Sequence, residues 1–246
     1  MDRLIYTAVS GINASQTRLR VIANNMANAQ TTGFRAEVLA ATPMTLESRQ
    51  LEVRALTATQ VKGADMREGV AVRTGRDLDV ALTGDTLLAV QASDGSEAYT
   101  RRGDLSVSAT GVLQNGEGLP VIGEGGAITV PTGTAITIAP DGAVLSANPA
   151  TPDQPPVEVA RIKLANWRGS DIVKGLDGLF RVPGGGVLPA DAEARLEPGT
   201  LEQSNVNTAE VLTDMIEAQR LFDMRTKLVS TARDLDEGSA SLMRLT

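Results

Sequence analysis

Apolar residues recur at every seventh position at the start of the chain: Ile5, Ile12, Leu19 and Met26. Ala8, Ser15, Ile22 and Ala29 follow three residues behind them. Alternating steps of three and four place these residues on one narrow stripe of a helix, the a/d seam of a heptad. A helix of ~27 residues is roughly 40 Å long, so this stripe needs a partner along its whole length. The helix is expected to end between Asn28 and Gly33. Asn24, Asn25 and Asn28 tolerate helix ends, and Gly33 suits the left-handed closing position.

The same period returns at the other end. Leu221, Leu228, Leu235 and Leu242 are spaced by sevens, with Met224 and Leu245 flanking them at the following seam positions. Asn207 is placed as the N-cap, with Glu210 three residues on and Val206 and Val211 set as a hydrophobic staple. All eleven prolines fall between Pro43 and Pro198. Proline breaks helix interiors, so the ends can be helical where most of the middle cannot. The two terminal helices are expected to pair, because neither can bury its stripe alone.

Between them the period changes. From Arg76 onward, Leu78, Val80 and Leu82 alternate with Asp79 and Ala81. Short apolar runs follow at Leu88/Val90, Leu105/Val107, Val112/Leu113, Ile128/Val130, Ile136/Ile138 and Val144, with a further strand candidate over 157–165. Gly84-Asp85, Asp94-Gly95, Gly103-Asp104, Asn115-Gly116 and Asp141-Gly142 separate them as turn signals. Many short strands at regular spacing predict an antiparallel β domain. The expected fold class is therefore α+β: paired N- and C-terminal coiled-coil helices around an antiparallel, Gly/Pro-rich β domain. The expected division is 1–34 N-terminal helix, 35–75 extended connector, 76–200 β-rich domain and 201–246 C-terminal helix. A surface loop is expected over 149–156, which holds four prolines.

Composition removes several classes of chemistry. The chain of 246 residues has no Cys and no His. That excludes disulfides and thiolate metal sites and takes away the commonest general base and metal ligand. The formal charge is −7, no basic run stands out, and only six aromatics are present (Trp 1, Tyr 2, Phe 3), so a nucleic-acid partner is not expected. No apolar run approaches the ~20 residues of a membrane span. Thr7, Ser10 and Asn13 interrupt the N-terminal apolar residues, so no cleaved signal peptide is expected.

The remaining candidates for chemistry are weak. Asp77, Asp79 and Asp85 have calcium-like spacing, but the full twelve-residue loop pattern is absent and alternate acids in a strand usually form a solvated face. The glycine runs 123–126 and 184–186 precede no helix and lack the Lys-Ser/Thr of a phosphate loop. Asp77, Asp79 and Asp104 are the only carboxylates that a hydrolase reading could use. No catalytic, cofactor or metal site and no small-molecule substrate are expected.

One run is specific. Ala23-Asn24-Asn25-Met26-Ala27-Asn28-Ala29-Gln30-Thr31-Thr32-Gly33-Phe34 resembles the signature of the bacterial flagellar rod and hook proteins. The stretch Leu201-Glu202-Gln203-Ser204-Asn205-Val206-Asn207 resembles a second signature of that family, and 214–220 continues it. In the middle, 76–82, 99–103 and 139–142 also match. The start, 1–8, and the interior runs 63–66 and 121–131 are most similar to a proximal rod subunit. The resemblance implies a structural subunit of the basal-body rod, an axial shaft across the periplasm that passes torque from motor to hook. It implies export through the flagellar type III exporter and assembly with copies of itself and other rod proteins. A distal rod or hook-type axial protein, or a secreted β-rich binding module, stays open as an alternative. In the rod reading Ile5, Ile12, Leu19, Ile22, Met26, Met215, Leu221, Leu228, Leu235 and Leu242 carry helix packing. Asn24, Asn25, Asn28, Thr31, Gly33, Phe34, Ser204, Asn205 and Val206 are the signature positions, with Asn24, Asn25, Asn28 and Asn205 supplying amide hydrogen bonds at helix ends.

Overall fold

A computed structural model describes residues 2–45, 55–148 and 154–243, and within them the side chains of 9–40, 63–148, 154–231 and 233–234. Residues 46–54 of the expected connector and 149–153 of the proline-rich loop lie outside the described residues. The fold is α+β, with two long helices at the ends of the chain and short strands between them. Helix α1 spans Asp2–Ala27 and α2 spans Thr208–Met243. The strands are β1 (Glu37–Thr45), β2 (Ala55–Ala64), β3 (Ala71–Arg73), β4 (Val80–Leu82), β5 (Thr86–Gln91), β6 (Glu97–Thr100), β7 (Ser106–Val107), β8 (Leu113–Gln114) and β9 (Ile122–Gly123). They continue with β10 (Gly126–Ala127), β11 (Ala135–Ile138), β12 (Ala143–Ala147), β13 (Val157–Arg161), β14 (Leu164–Asn166), β15 (Val173–Lys174), β16 (Phe180–Arg181), β17 (Leu196–Pro198) and β18 (Thr200–Glu202). The stretch 35–75 thus holds the paired strands β1 and β2 as well as β3.

Two compact units divide the chain, each built from separate segments. The helical unit contains residues 1–27, 37–62 and 207–246, and the β unit contains 28–36 and 63–206. In the helical unit α1 and α2 run antiparallel: Gly11 and Ser15 meet Arg225, while Arg18 meets Asp214. Asn207 caps α2, its Oδ1 accepting the N–H groups of Ala209 (3.1 Å) and Glu210 (3.4 Å), which answers two of the donors a helix start leaves open. Helix α1 stops at Ala27, well before Gly33. Gly33 does adopt a positive φ of 67°, but in the turn beyond the helix rather than as its closing residue.

The β unit is assembled around β5. Its alternation sends Leu88 and Val90 to one side, where they join Val80, Leu105, Leu113, Val121 and Val144. Leu87 and Ala89 go to the other side, against Tyr99, Ala165, Phe180 and Leu188. The strand lies inside a five-stranded sheet of order β14-β5-β6-β16-β15. Burial on both faces also explains β4. Leu78 to Leu82 reads as a half-solvated strand, yet Val80, Ala81 and Leu82 are all buried, and so is Asp79, whose carboxylate accepts a hydrogen bond from Thr74 Oγ1 at 2.6 Å. The candidate over 157–165 is two strands in different sheets, β13 and β14. The Ile128/Val130 run forms no strand of its own, though both residues are buried in the core.

Glycine does two jobs in the turns. Gly84, Gly95 and Gly142 take positive φ, as the turn signals require. Gly103 does not; there a Cβ would collide with the carbonyl oxygen of Val80. Gly103 is small because the backbone of β4 passes directly against it.

Three aspartates are held below the usual carboxylate range, first by hydrogen bonds from arginines: Asp65 by Arg67, Asp141 by Arg161 and Asp177 by Arg181. A depressed folded-state pKa adds stability that is present above the unfolded value of about 4 and is lost as pH falls through the folded value. All three are at least partly exposed, so each contribution is small. With no His to titrate near neutrality, the thermal midpoint is expected to stay level between about pH 5.5 and 8.5 and to fall below about pH 4. A midpoint measured by circular dichroism that drifts through the neutral range contradicts this account.

Candidate assembly interface

The seam between the helices differs from the expected stripe. In α2 the less exposed positions are Val211, Met215, Ala218, Phe222, Arg225 and Val229, with Asp214 and Leu221 beside them. Their steps of four and three make a heptad seam, displaced from the leucines. Leu228 stands 69% exposed and Met224 58%. On α1 the positions three behind the apolar sevens are the buried ones, Ser15 and Ile22, with Val21 and Asn25; Ile12 and Leu19 are half-buried and Met26 is 37% exposed. Ile5, Leu235 and Leu242 fall outside the residues whose side chains are described.

A polar contact sits in the middle of that seam. Arg225 Nη1 donates to the carbonyl of Gly11 at 2.6 Å and to the hydroxyl of Ser15. An arginine with two oxygen partners on the facing helix sets the register, since sliding by one turn leaves a half-buried charge without them. The apolar pattern alone gave no sign of it. The consequence is a second stripe: Leu212, Ile216, Met224 and Leu228 remain exposed on the described part of α2.

The Asn-rich signature ends α1 and builds the turn after it. Asn24 Nδ2 donates to Glu37 Oε1 at 2.6 Å. Asn25 is buried and pairs with the backbone of Glu37 in both directions, accepting its N–H at 2.8 Å and donating to its carbonyl at 3.0 Å. Its side chain therefore does what a neighbouring strand would do at the start of β1. In the β unit, Thr31 Oγ1 donates to Asn28 Oδ1 at 3.2 Å, and Phe34 N–H closes the turn on Thr31 O at 3.2 Å. Gly33 N–H donates to Glu202 O at 2.8 Å. A Cβ on Gly33 would strike the backbone of Arg101 and Arg102, so this position needs glycine for space as well as for φ. The Phe34 ring is buried beneath Lys174, whose ammonium lies 3.6 Å from the ring centroid and donates to Arg35 O at 2.8 Å.

The second signature closes on the first within the β unit. Asn205 Oδ1 accepts from Ala36 N–H at 2.8 Å, and its Nδ2 donates to the carbonyls of Asp65 (2.8 Å) and Arg67 (2.9 Å). One amide thus ties three segments. Ser204 Oγ accepts from Val206 N–H at 3.2 Å, a local turn contact that leaves Ser204 and Val206 half-buried. Beneath lies a group the sequence pattern did not single out. Glu202, with its side chain 3% exposed, bonds Arg35 at 2.5 Å and Arg101 at 2.8 Å, and it accepts the N–H of Gly69 at 2.7 Å. Arg101 also donates to the carbonyls of Leu82 and Thr86. Burial, and after it the charge of Arg101, pull the Arg35 guanidinium below its ordinary value. One carboxylate thus serves two buried guanidinium groups.

No cluster of metal-ligating side chains occurs among the described residues. Asp104 is engaged by Arg102 at 2.7 Å, and Asp79 is buried in the core. No helix of the described residues is long and apolar enough to cross a membrane.

Glu202→Gln is expected to lower the unfolding free energy by about 3–5 kcal/mol, because it strands the buried Arg35 and leaves Arg101 only the exposed Glu68 at 3.8 Å. Urea unfolding followed by Trp167 fluorescence measures it; a loss below about 1 kcal/mol, the worth of an exposed pair, contradicts the role assigned to Glu202. Gly33→Ala adds at least ~1 kcal/mol of left-handed strain to the clash with Arg101, and the same titration reads it.

The family described as flagella basal body rod protein matches residues 5–35, the flagellar hook protein FlgE/F/G D1 domain matches 81–146, and the flagellar basal body rod FlgEFG protein C-terminal family matches 197–242. The chain is 43% identical over 247 residues to the flagellar basal-body rod protein FlgF of Salmonella typhimurium, covering 98% of each chain. It is 43% identical over 240 residues to FlgF of Escherichia coli, covering 95% of each. To the rod protein FlgG of Agrobacterium fabrum it is 32% identical over 257 residues, covering 95% of this chain and 96% of that one. With rod-family segments at both ends and in the middle, and near-complete coverage at 43% identity, the chain belongs to the flagellar basal-body rod protein family.

Proposed function

We propose that this chain is a structural subunit of the proximal part of the flagellar basal-body rod. It polymerises with copies of itself and with other rod proteins into the axial shaft that passes torque from motor to hook. The higher identity to FlgF than to the FlgG relative supports the proximal place over the distal one. In this reading the subunit leaves the cell body through the flagellar type III exporter and comes to rest in the rod across the periplasm.

The observation that carries the proposal is the second stripe of α2. A helix packed by one seam against α1 still exposes Leu212, Ile216, Met224 and Leu228. At roughly 1.5–3 kcal/mol for each large apolar side chain fully buried, covering the stripe is a strong drive to associate. A coiled coil with helices of neighbouring subunits buries it, and a head-to-tail contact that does not close into a ring extends as a helical filament. The family role is structural, and the chain needs no cofactor or small-molecule substrate for it.

Leu228→Asp is expected to abolish rod assembly and swimming while leaving the β unit folded. Motility in soft agar, basal-body isolation and the melting of the purified variant measure the three effects. Normal swimming of cells that carry only this variant refutes the stripe as an assembly surface.

A further inference from the structure

Among the strand edges that end sheets in the β unit, two differ in charge. Strand β13 ends the sheet β11-β12-β13 and is bonded along one side only. On its other side the β9–β10 hairpin meets it at Arg161, where Glu124 N–H approaches Arg161 O at 3.4 Å, and then diverges. The fork leaves a cleft of about 530 Å³ between the hairpin and residues 158–161. Its floor is open because Cβ atoms on Gly125 and Gly126 would meet nothing within 4 Å. Its charged side chains are Glu124 and Glu158 against Arg161, and Arg161 is shared with Asp141 at 2.8 Å. The cleft is therefore acidic and walled by an unpaired strand edge.

The second edge is β3. It pairs with β18 alone, and all three of its residues are exposed. Val70, just before it, is 71% exposed, and Arg73 makes no ion pair among the described residues. A cationic strand with β-branched side chains and a free row of backbone donors and acceptors is the complement of the cleft. Proteins ordinarily blunt or cover such edges, because they pair with another chain.

We infer that the cleft beside β13 receives β3 of a second copy of this chain, by strand addition. Main-chain hydrogen bonds extend the β11-β12-β13 sheet by one strand, and Arg73 of the entering strand lies against Glu124 and Glu158. The donor edge and the receiving cleft are different surfaces of one subunit, so each copy can receive one neighbour and enter another, and the contact is head-to-tail. It goes beyond the helix stripe and needs only two copies, not a rod.

The chain has no Cys, so engineered cysteines report the contact without background. Full-length Val72→Cys, carrying a size tag, is mixed with full-length Val157→Cys, an exposed position of β13, and oxidised. The expected product is a mixed disulfide dimer, several-fold more abundant than from Val72→Cys mixed with Asp94→Cys in an exposed turn. The Val72→Cys/Val157→Cys double variant is expected to give a ladder beyond the dimer. Adding Glu124→Lys to the receiving chain lowers the yield, and Arg73→Glu on the entering chain restores it. A mixed dimer no more abundant than the Asp94→Cys control overturns the inference, as does a yield indifferent to both charge changes. Because the assay uses purified chains, a stripe variant such as Leu228→Asp can stop rod assembly while this cross-link persists, and the two readings fail separately.

Discussion

Glu202 has to satisfy two arginines that are far apart along the chain of the β unit. Arg35 follows the turn after α1, and Arg101 follows β6. Two buried guanidinium groups side by side repel, and burial adds the cost of desolvation. A single carboxylate from β18 offsets both, and its backbone also holds Gly33 in place. Arg101 then spans the carbonyls of Leu82 and Thr86, so β4 and β5 are positioned by the same group. The core around β5 is apolar and would fill in many ways. This charged knot selects one of them, by making every alternative leave an ion unpaired.

The helical unit is organised by the opposite arrangement. Its seam mixes apolar residues such as Ile22, Met215 and Phe222 with small and polar ones, Ser15, Ala218 and Arg225, while Leu212, Ile216, Met224 and Leu228 stay exposed. Small residues allow close approach and Arg225 gives register, but neither buries much apolar area. A pair built this way is well defined and leaves a second apolar face of α2 uncovered. That balance suits a subunit whose helices are completed by neighbours.

Much of this architecture is visible in the order of residues, and what is not visible has identifiable causes. The proline map and the two heptads mark the helices, and Asn207 caps α2 where its pattern says it should. The identity of the buried seam is hidden, because Arg225 and Ala218 occupy places where an apolar stripe is sought. Period two predicts one wet face for Leu78 to Leu82, but a strand covered on both sides keeps no such face. Gly103 looks like a turn glycine because nothing in the sequence shows that the Val80 carbonyl touches it. Family likeness located Asn25, Gly33 and Asn205, whereas their bonding follows only from the folded backbone. Arg35, Arg101 and Glu202 lie too far apart in sequence for any spacing rule to join them.

The two segments of the β unit, 28–36 and 63–206, are tied together at one place. Its entry at Gly33 to Ala36 and its exit at Glu202 to Asn205 are hydrogen-bonded directly to each other, through Gly33 N–H to Glu202 O, Asn205 N–H to Phe34 O and the Asn205 side chain to Ala36. A segment clasped at its neck behaves as an insertion within the chain that carries the helices. The entropy of closing such a loop grows only as the logarithm of its length. Turns between the strands can therefore lengthen or shorten over generations at small cost while the neck stays fixed. The neck is the part that tolerates least change, and the body it holds is free to diversify.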